Sequence, residues 1–424
     1  MTAVTTTYRR VLALSGPLLP VVSFLGRLPT AMCQLGSVLL VAETSGSLTT
    51  AGLVGGALAA GQTVAGPLIG RLTDRHGQRP VVLIACWVNA VAVAALVTAA
   101  LSRTATPPLA LLGLLAGASV PQIGPLARTR LVALAHRARA DDRLVSAALS
   151  LEGTLDEVSF VLGPALVGLA ATLVHPAVAL GLAAVLLAVC GSAFALHPTA
   201  VAVRPAADRA PRTARPARTR MPRAVHAMRV STALQGAMFG ACQAGITALT
   251  ERLHQPAQAG LVYAAMGVMS AVAGLSLALV PARIGLPARW RAAAVALIVL
   301  SVPLLFVRSM GALYLVVVVL GVAFAPHLIT LFGLTERLVP AARLAESMAF
   351  LTSAVVGGQA VALALSGRLA DMYGPSAAFA VAVGAAVLVL VVALTTRAGH
   401  RPTAPLRVSP AGPEEAAADR AQTS

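Results

Sequence analysis

The stretch GRLTDRHGQR, Gly70 to Arg79, decides how the rest of the chain is read. It separates two long apolar runs and gathers one acid, Asp74, several bases and the glycines Gly70 and Gly77 into a space that allows only a tight hairpin. Apolar runs of about twenty residues on either side put that hairpin at a membrane surface.

Composition extends this reading to the whole chain. Apolar residues make up 58% of 424 positions and charged residues 11%, and the mean hydropathy is +0.83, far from an average soluble domain. Lipid offers the backbone no hydrogen-bond partners, so runs of this length predict spanning helices rather than barrel strands. The basic side chains are all arginine, and the net charge is +17. A balance this basic raises nucleic acid as a partner, but its distribution along the chain points to membrane orientation instead. Cys33, Cys86, Cys190 and Cys242 fall singly in apolar runs, so neither a disulfide framework nor a metal site is expected. Tyr8, Arg9 and Arg10 before an apolar stretch imitate a secretion signal. Arg27 interrupts that stretch and no small-x-small cleavage site follows, so it is read as a retained first helix.

The 70–79 pattern resembles the loop between helices 2 and 3 of the major facilitator superfamily of secondary transporters, roughly G-x-L-x-D-R-x-G-R-R/K. The matches are Gly70, Leu72, Asp74, Arg75, Gly77 and Arg79, with Gln78 standing where a base is usual. The resemblance implies an all-α membrane protein of twelve transmembrane helices in two pseudo-symmetric six-helix bundles. It also implies a gate in which Asp74 meets the start of helix 11, near Arg343, where a helix N-terminus attracts an anion.

The apolar runs place helices near 12–41, 49–70, 80–101, 107–127, 145–174 and 176–196, then near 230–251, 257–281, 290–307, 311–334, 344–366 and 375–396. Residues 1–196 form the first half and 230–397 the second. The arginine-rich, proline-rich segment 197–229 reads as a cytoplasmic linker, and 398–424 as a disordered cytoplasmic tail. With the N-terminus inside, 27 arginines fall in inside segments and four outside (Arg103, Arg252, Arg308, Arg368), which orients both termini to the cytoplasm of a plasma membrane. A shift of 208 positions lays Ala51-Gly52-Leu53-Val54 on Ala259-Gly260-Leu261-Val262, a repeat expected of two parallel halves. The same shift lays Asp74 on Ala282, so the second copy of the hairpin lacks the acid.

Ionisable residues inside spans are costly and therefore point to function. Helix 5 contains LEGTLDEVSFVLGPALVG, 151–168. Glu152 and Asp156, four apart, share a face, while Glu157 points about 100° away. Asp156 and Glu157 fall near the bilayer midplane, where loss of hydration favours the protonated acid and a nearby cation the ionised one. Glu157, Asp156, Glu152 and Arg27 are the candidates for proton coupling, with Arg27 expected as the only cation within the spans; locking of helices by static pairing is the competing reading. In helix 5, Gly163, Pro164 and Gly168 partly resemble an antiporter signature, and close helix packing explains them equally well. The arginine many antiporters carry in helix 4 is not found at Gly113–Gly117. Gln34, Gln122, Gln235, Gln243, His327 and Gln359 are candidates for the substrate cavity, with interhelical hydrogen bonding as the alternative for each. Pro121, Pro125 and Pro326 mark expected bends.

The expectation is a monomeric, proton-coupled exporter of a small molecule with no cofactor. Uptake of a metabolite, and a membrane sensor or scaffold without turnover, are the rivals. An enzyme is excluded by the lack of a phosphate loop, paired metal ligands or an activated nucleophile.

Overall fold

The computed structural model describes residues 3–203, 221–255, 258–281 and 283–396, and the described residues contain helices and no strand. The cytoplasmic tail expected over 398–424, residues 204–220 of the expected linker, and Ala282 lie outside them.

A short helix, α1 (Ala3–Ser15), precedes the first span. The spans are α2 (Leu18–Ser45), α3 (Leu48–His76), α4 (Gln78–Leu101), the pair α5 (Thr106–Ala118) and α6 (Ile123–Arg137), α7 (Asp142–Leu173), and α8 (Pro176–Leu186), which runs through a π turn into α9 (Ser192–Leu196). The second half holds α10 (Arg223–Arg252), α11 (Ala259–Ser276), α12 (Leu286–Ser301), α13 (Met310–Leu338), α14 (Leu344–Tyr373) and α15 (Pro375–Thr395). Two apolar cores hold the bundles. One, from Met228 to Ala393, joins α10 to α15; the other, from Leu28 to Ala183, joins α2 to α8. Outside them a belt of large apolar side chains is exposed, including Val64, Ile84 and Phe306. Such a surface is stable against lipid and unstable against water.

Eleven helical segments among the described residues are long and apolar enough to cross a membrane. The expected twelfth, α10, has the length but not the hydropathy. Its polar residues, among them Ser231, Thr232 and Gln235, are buried in the bundle, so it does not need an apolar surface all round.

Three local differences from the sequence reading have physical causes. The 70–79 segment is not a loop of ten residues, because helix continues to His76 and resumes at Gln78. Gly77, at φ +86°, makes the turn alone. Residues 12–41 are not one helix, since Gly16 at φ +72° and Pro17 divide α1 from α2. Helix 4 is broken outright. Pro121 has no N–H to continue the ladder, and Gln122 takes the left-handed conformation at φ 55°, ψ 38°. The Ala116 carbonyl freed at the break is met locally, with Asn89 Nδ2 donating to it at 2.5 Å and Ser119 Oγ at 3.2 Å. Pro326, by contrast, lies inside an uninterrupted α13.

The halves meet along two seams. On α3 and α14 the contacts run from Asp74 with Ala345, through Gly66 with Ser353, to Thr63 with Gly357. On α7 and α11 they run from Thr154 with Gly274 to Val161 with Gly267. Farther from the Gly77 turn the same helices pack within their own half, Gly61 against Leu114 and Ala118, and Gly240 against Gln359. The molecule is sealed at the end that carries the turn and parts towards the other.

Candidate functional site

Asp156 anchors the site because α2 and α6 both converge on its carboxylate. Arg27 Nη1 of α2 donates to Oδ1 at 2.7 Å, and Arg128 Nη2 of α6 donates to Oδ2. The first turn of α6 approaches it as well, where Gly124 leaves room: a Cβ there would lie 2.7 Å from Oδ1. A carboxylate against the first turn of a helix also sits at the favourable end of its dipole.

Arg27 is 5% exposed, and its five N–H donors are all used. Nε and Nη2 donate to Ser23 O and Ser23 Oγ, Nη1 to Glu152 O as well as Asp156, and Nη2 also to Glu152 Oε2. The shared face of Glu152 and Asp156 expected from their spacing is thus the face that grips Arg27. Two guanidiniums and two carboxylates balance in charge, which is the condition under which such groups survive burial.

Arg128 corrects two expectations. It is a second cation within the spans, so Arg27 is not the only one, and helix 4 does contribute an arginine, beyond its break. The signal was present in Arg128-Thr129-Arg130, but an apolar run of standard length ended the predicted helix at 127. In the structure α6 continues to Arg137 with both arginines buried. Arg128 also lies 3.8 Å over the ring of Phe332 on α13, in the other half, while its Nε and Nη1 have no hydrogen-bond partner among the described residues. Arg130 donates to Gln78 Oε1 at 2.7 Å and Phe194 O at 2.7 Å. Gln78, the departure from the family pattern, therefore stands where a base would confront Arg130.

Glu157 lies apart from this cluster. It is buried, its carboxyl reaches the Ser270 hydroxyl on α11, and among the described residues no arginine pairs with it. Glu157 does not pair with Arg27 in this state, because the 100° offset points it at the second half.

The six cavity candidates divide. Arg27, Thr30, Gln62, Gln122, Asp156, Phe160 and Thr352 line one cavity at the break in helix 4. Discontinuous helices lining a cavity are how transporters of several folds build central sites. Gln34 reaches its rim through Gln62 Oε1 at 3.2 Å, and Gln359 pairs with Gln243 at 3.4 Å across α14 and α10. Gln62, missed in the sequence reading, is 1% exposed and takes Ser353 of the other half on its carbonyl. Gln235 and His327 are fully buried and closed off: Trp290 Nε1 donates to His327 Nε2 at 3.2 Å, which leaves Nδ1–H to donate to Gln235 Oε1 at 2.5 Å. These two hold helices together and do not face the cavity. Gly163 packs against Ala31 and the Met32 backbone of α2, and Gly168 has open space around it. Pro164 lies within α7.

At the sealed end Asp74 is 6% exposed and accepts from Ala345 N at 3.2 Å and Glu346 N at 2.8 Å, capping α14. Arg343 forks onto Glu346 at 2.9 and 3.0 Å in the same turn. Arg79 donates to Leu196 O at 3.2 Å, and Arg75 is exposed. Gly70 brings α3 against the Ala345 carbonyl, which a Cβ would approach to 2.7 Å. The start of α7, the corresponding point in the other half, is capped by its own Asp141, through Leu144 N at 3.0 Å. The Arg337–Asp142 ion pair at 2.9 Å and a His136–Glu336 contact at 3.4 Å cross between the halves nearby.

A sequence model described as the Major Facilitator Superfamily matches residues 21–341. No curated protein is similar enough in sequence to match. Among solved structures, the human organic anion transporter MFSD10 (TETRAN) is 20% identical with a TM-score of 0.65, over 91% of this chain and 99% of that one. A bacterial homologue of the iron transporter ferroportin in the outward-facing state is 17% identical, TM-score 0.68, over 89% and 98%. The transporter FucP in the outward conformation is 13% identical, TM-score 0.64, over 89% and 97%. At these identities the likeness is one of fold.

Proposed function

This chain belongs to the Major Facilitator Superfamily and is a multi-pass membrane transporter, and on that premise we propose that it exports a small molecule in exchange for protons. The observation that carries the reading is the separation of the helix-5 acids. Glu152 and Asp156 are neutralised by two arginines, whereas Glu157 reaches the Ser270 hydroxyl at the seam between the halves and has no paired arginine among the described residues.

In this reading the Glu157 carboxyl carries the coupling proton while the seam is closed. Rocking of the halves parts α7 from α11, separates Glu157 from Ser270 and admits water. Proton release then accompanies the change of state, with Glu157 the first choice of carrier and Asp156 the alternative. Substrate occupies the cavity at Arg27, Gln62 and Gln122. The sealed end is the cytoplasmic one, by the arginine count, so the state described is outward-facing and both termini are inside the plasma membrane. Asp74, Arg343 and the residues of the 70–79 turn hold that state. The partial antiporter signature around Gly163 supports export, although Gly163 itself is occupied in packing α7 on α2.

A second reading has its own support: the balanced Arg27–Glu152–Asp156–Arg128 cluster has the form of a structural lock, which would leave Glu157 as the only titrating acid. Glu157→Gln and Asp156→Asn, compared for surface expression, pH-dependent transport and exchange without a gradient, test both. Loss of pH dependence with exchange retained in Glu157→Gln is the expected result. Full pH dependence in both variants would remove helix 5 from coupling.

A further inference from the structure

The helix α1 belongs to neither bundle. Its inner face is Thr7, Tyr8, Val11, Leu14 and Ser15, and Arg9, Arg10 and Leu12 are exposed. Val11 is fully buried in a cluster drawn mainly from the first half, with Leu19, Leu126 and Ala147, which Ala278 and Ala345 of the second half join at its edge. Leu14 packs on a cluster that mixes both halves, Val132, Val145 and Leu149 with Ala325 and Ile329. Tyr8 Oη donates to Leu275 O at 2.9 Å, 267 residues along the chain. Leu275 lies in the last turn of α11, so the phenol ties α1 to the end of a second-half helix. Burial pushes the Tyr8 phenol up to about 12, so it keeps the proton it donates at any physiological pH. Gly16 at φ +72° and Pro17 join α1 to the first span without continuous helix, which lets α1 keep its own orientation.

We propose that α1 is a strap across the sealed end, anchored in the first half through Val11 and fastened to the second through Tyr8 and Leu14, that must release before this end can open. Any motion that carries α11 away from α7 lengthens the Tyr8–Leu275 bond and uncovers Leu14, while Val11 stays seated. The strap thus biases the resting equilibrium towards the sealed state without touching the cavity or any helix-5 acid. This rests on the two-state reading above but not on its proton coupling, and its test requires no transport.

In a background with Cys33, Cys86, Cys190 and Cys242 replaced, one reporter is Ser146→Cys, in the cleft between the halves at the sealed end. A second is Thr30→Cys, in the central cavity. Alkylation rates are measured on purified full-length protein with and without Tyr8→Phe. Loss of one net hydrogen bond is expected to speed labelling at Ser146→Cys about two- to tenfold and to slow it at Thr30→Cys. Removing residues 2–15 should exceed that effect. If the truncated chain does not fold, Tyr8→Phe, which loses only an oxygen, decides alone. Unchanged rates at both reporters overturn the strap, and so do faster rates at both, which indicate general loosening.

Discussion

Arg128 and Asp156 are the residues whose pairing was least legible in the sequence and matters most to the site. The i, i+4 spacing of Glu152 and Asp156 gave their common face, and the offset of Glu157 gave its separate one. Neither spacing reveals that the chain, having stopped at Pro121, restarts as a helix whose second turn brings Arg128 onto Asp156. A broken buried pair leaves an uncompensated charge, which costs about 3–5 kcal/mol. Arg128→Gln is therefore expected to lower the thermal midpoint of detergent-solubilised protein sharply, and adding Asp156→Asn to recover part of the loss. A double variant no more stable than Arg128→Gln alone would show that the pair is not the source of the cost. Glu157→Gln, by the same logic, is expected to leave the midpoint nearly unchanged, since no arginine depends on it.

Among the elements, those whose apolar runs end in charge were located well, and Pro176–Leu196 coincides with its predicted span. Helix 4 was not, because hydropathy records a break at Pro121 only as a dip and then cannot tell a buried arginine from a cytoplasmic one. The α3–α14 seam was anticipated through Asp74 and owes its closeness to Gly70, whose environment is rigid backbone and the Ala349 methyl group. Gly70→Ala cannot be accommodated by a side-chain shift, so it is expected to hold the seam apart and raise labelling of Ser146→Cys, with the protein still inserted. Asp74→Asn keeps the size and weakens the contact with the α14 N-terminus, an interaction of about 1 kcal/mol and up to about 2 when partly buried. It is expected to insert normally and transport poorly, and unchanged transport would reduce the turn to orientation charge.

For the whole molecule, the proposed alternating access draws on two bundles, a sealed arginine-rich end and a cavity at a broken helix. Orientation is open to direct measurement: Val201→Cys, exposed at the sealed end, is expected to resist an impermeant thiol reagent in intact cells and to react after permeabilisation. The twofold plan was legible from the repeat, whereas the cavity was not, since it forms only where five helices converge and no single segment encodes it. The most direct measurement of the central claim is an untargeted comparison of small molecules inside cells that make the protein, cells that make Glu157→Gln at equal surface level, and cells that make neither. The expected result is at least one compound depleted only in cells with the unaltered protein, and restored when a protonophore collapses the gradient. No depleted compound, or one accumulated instead, would contradict proton-driven export.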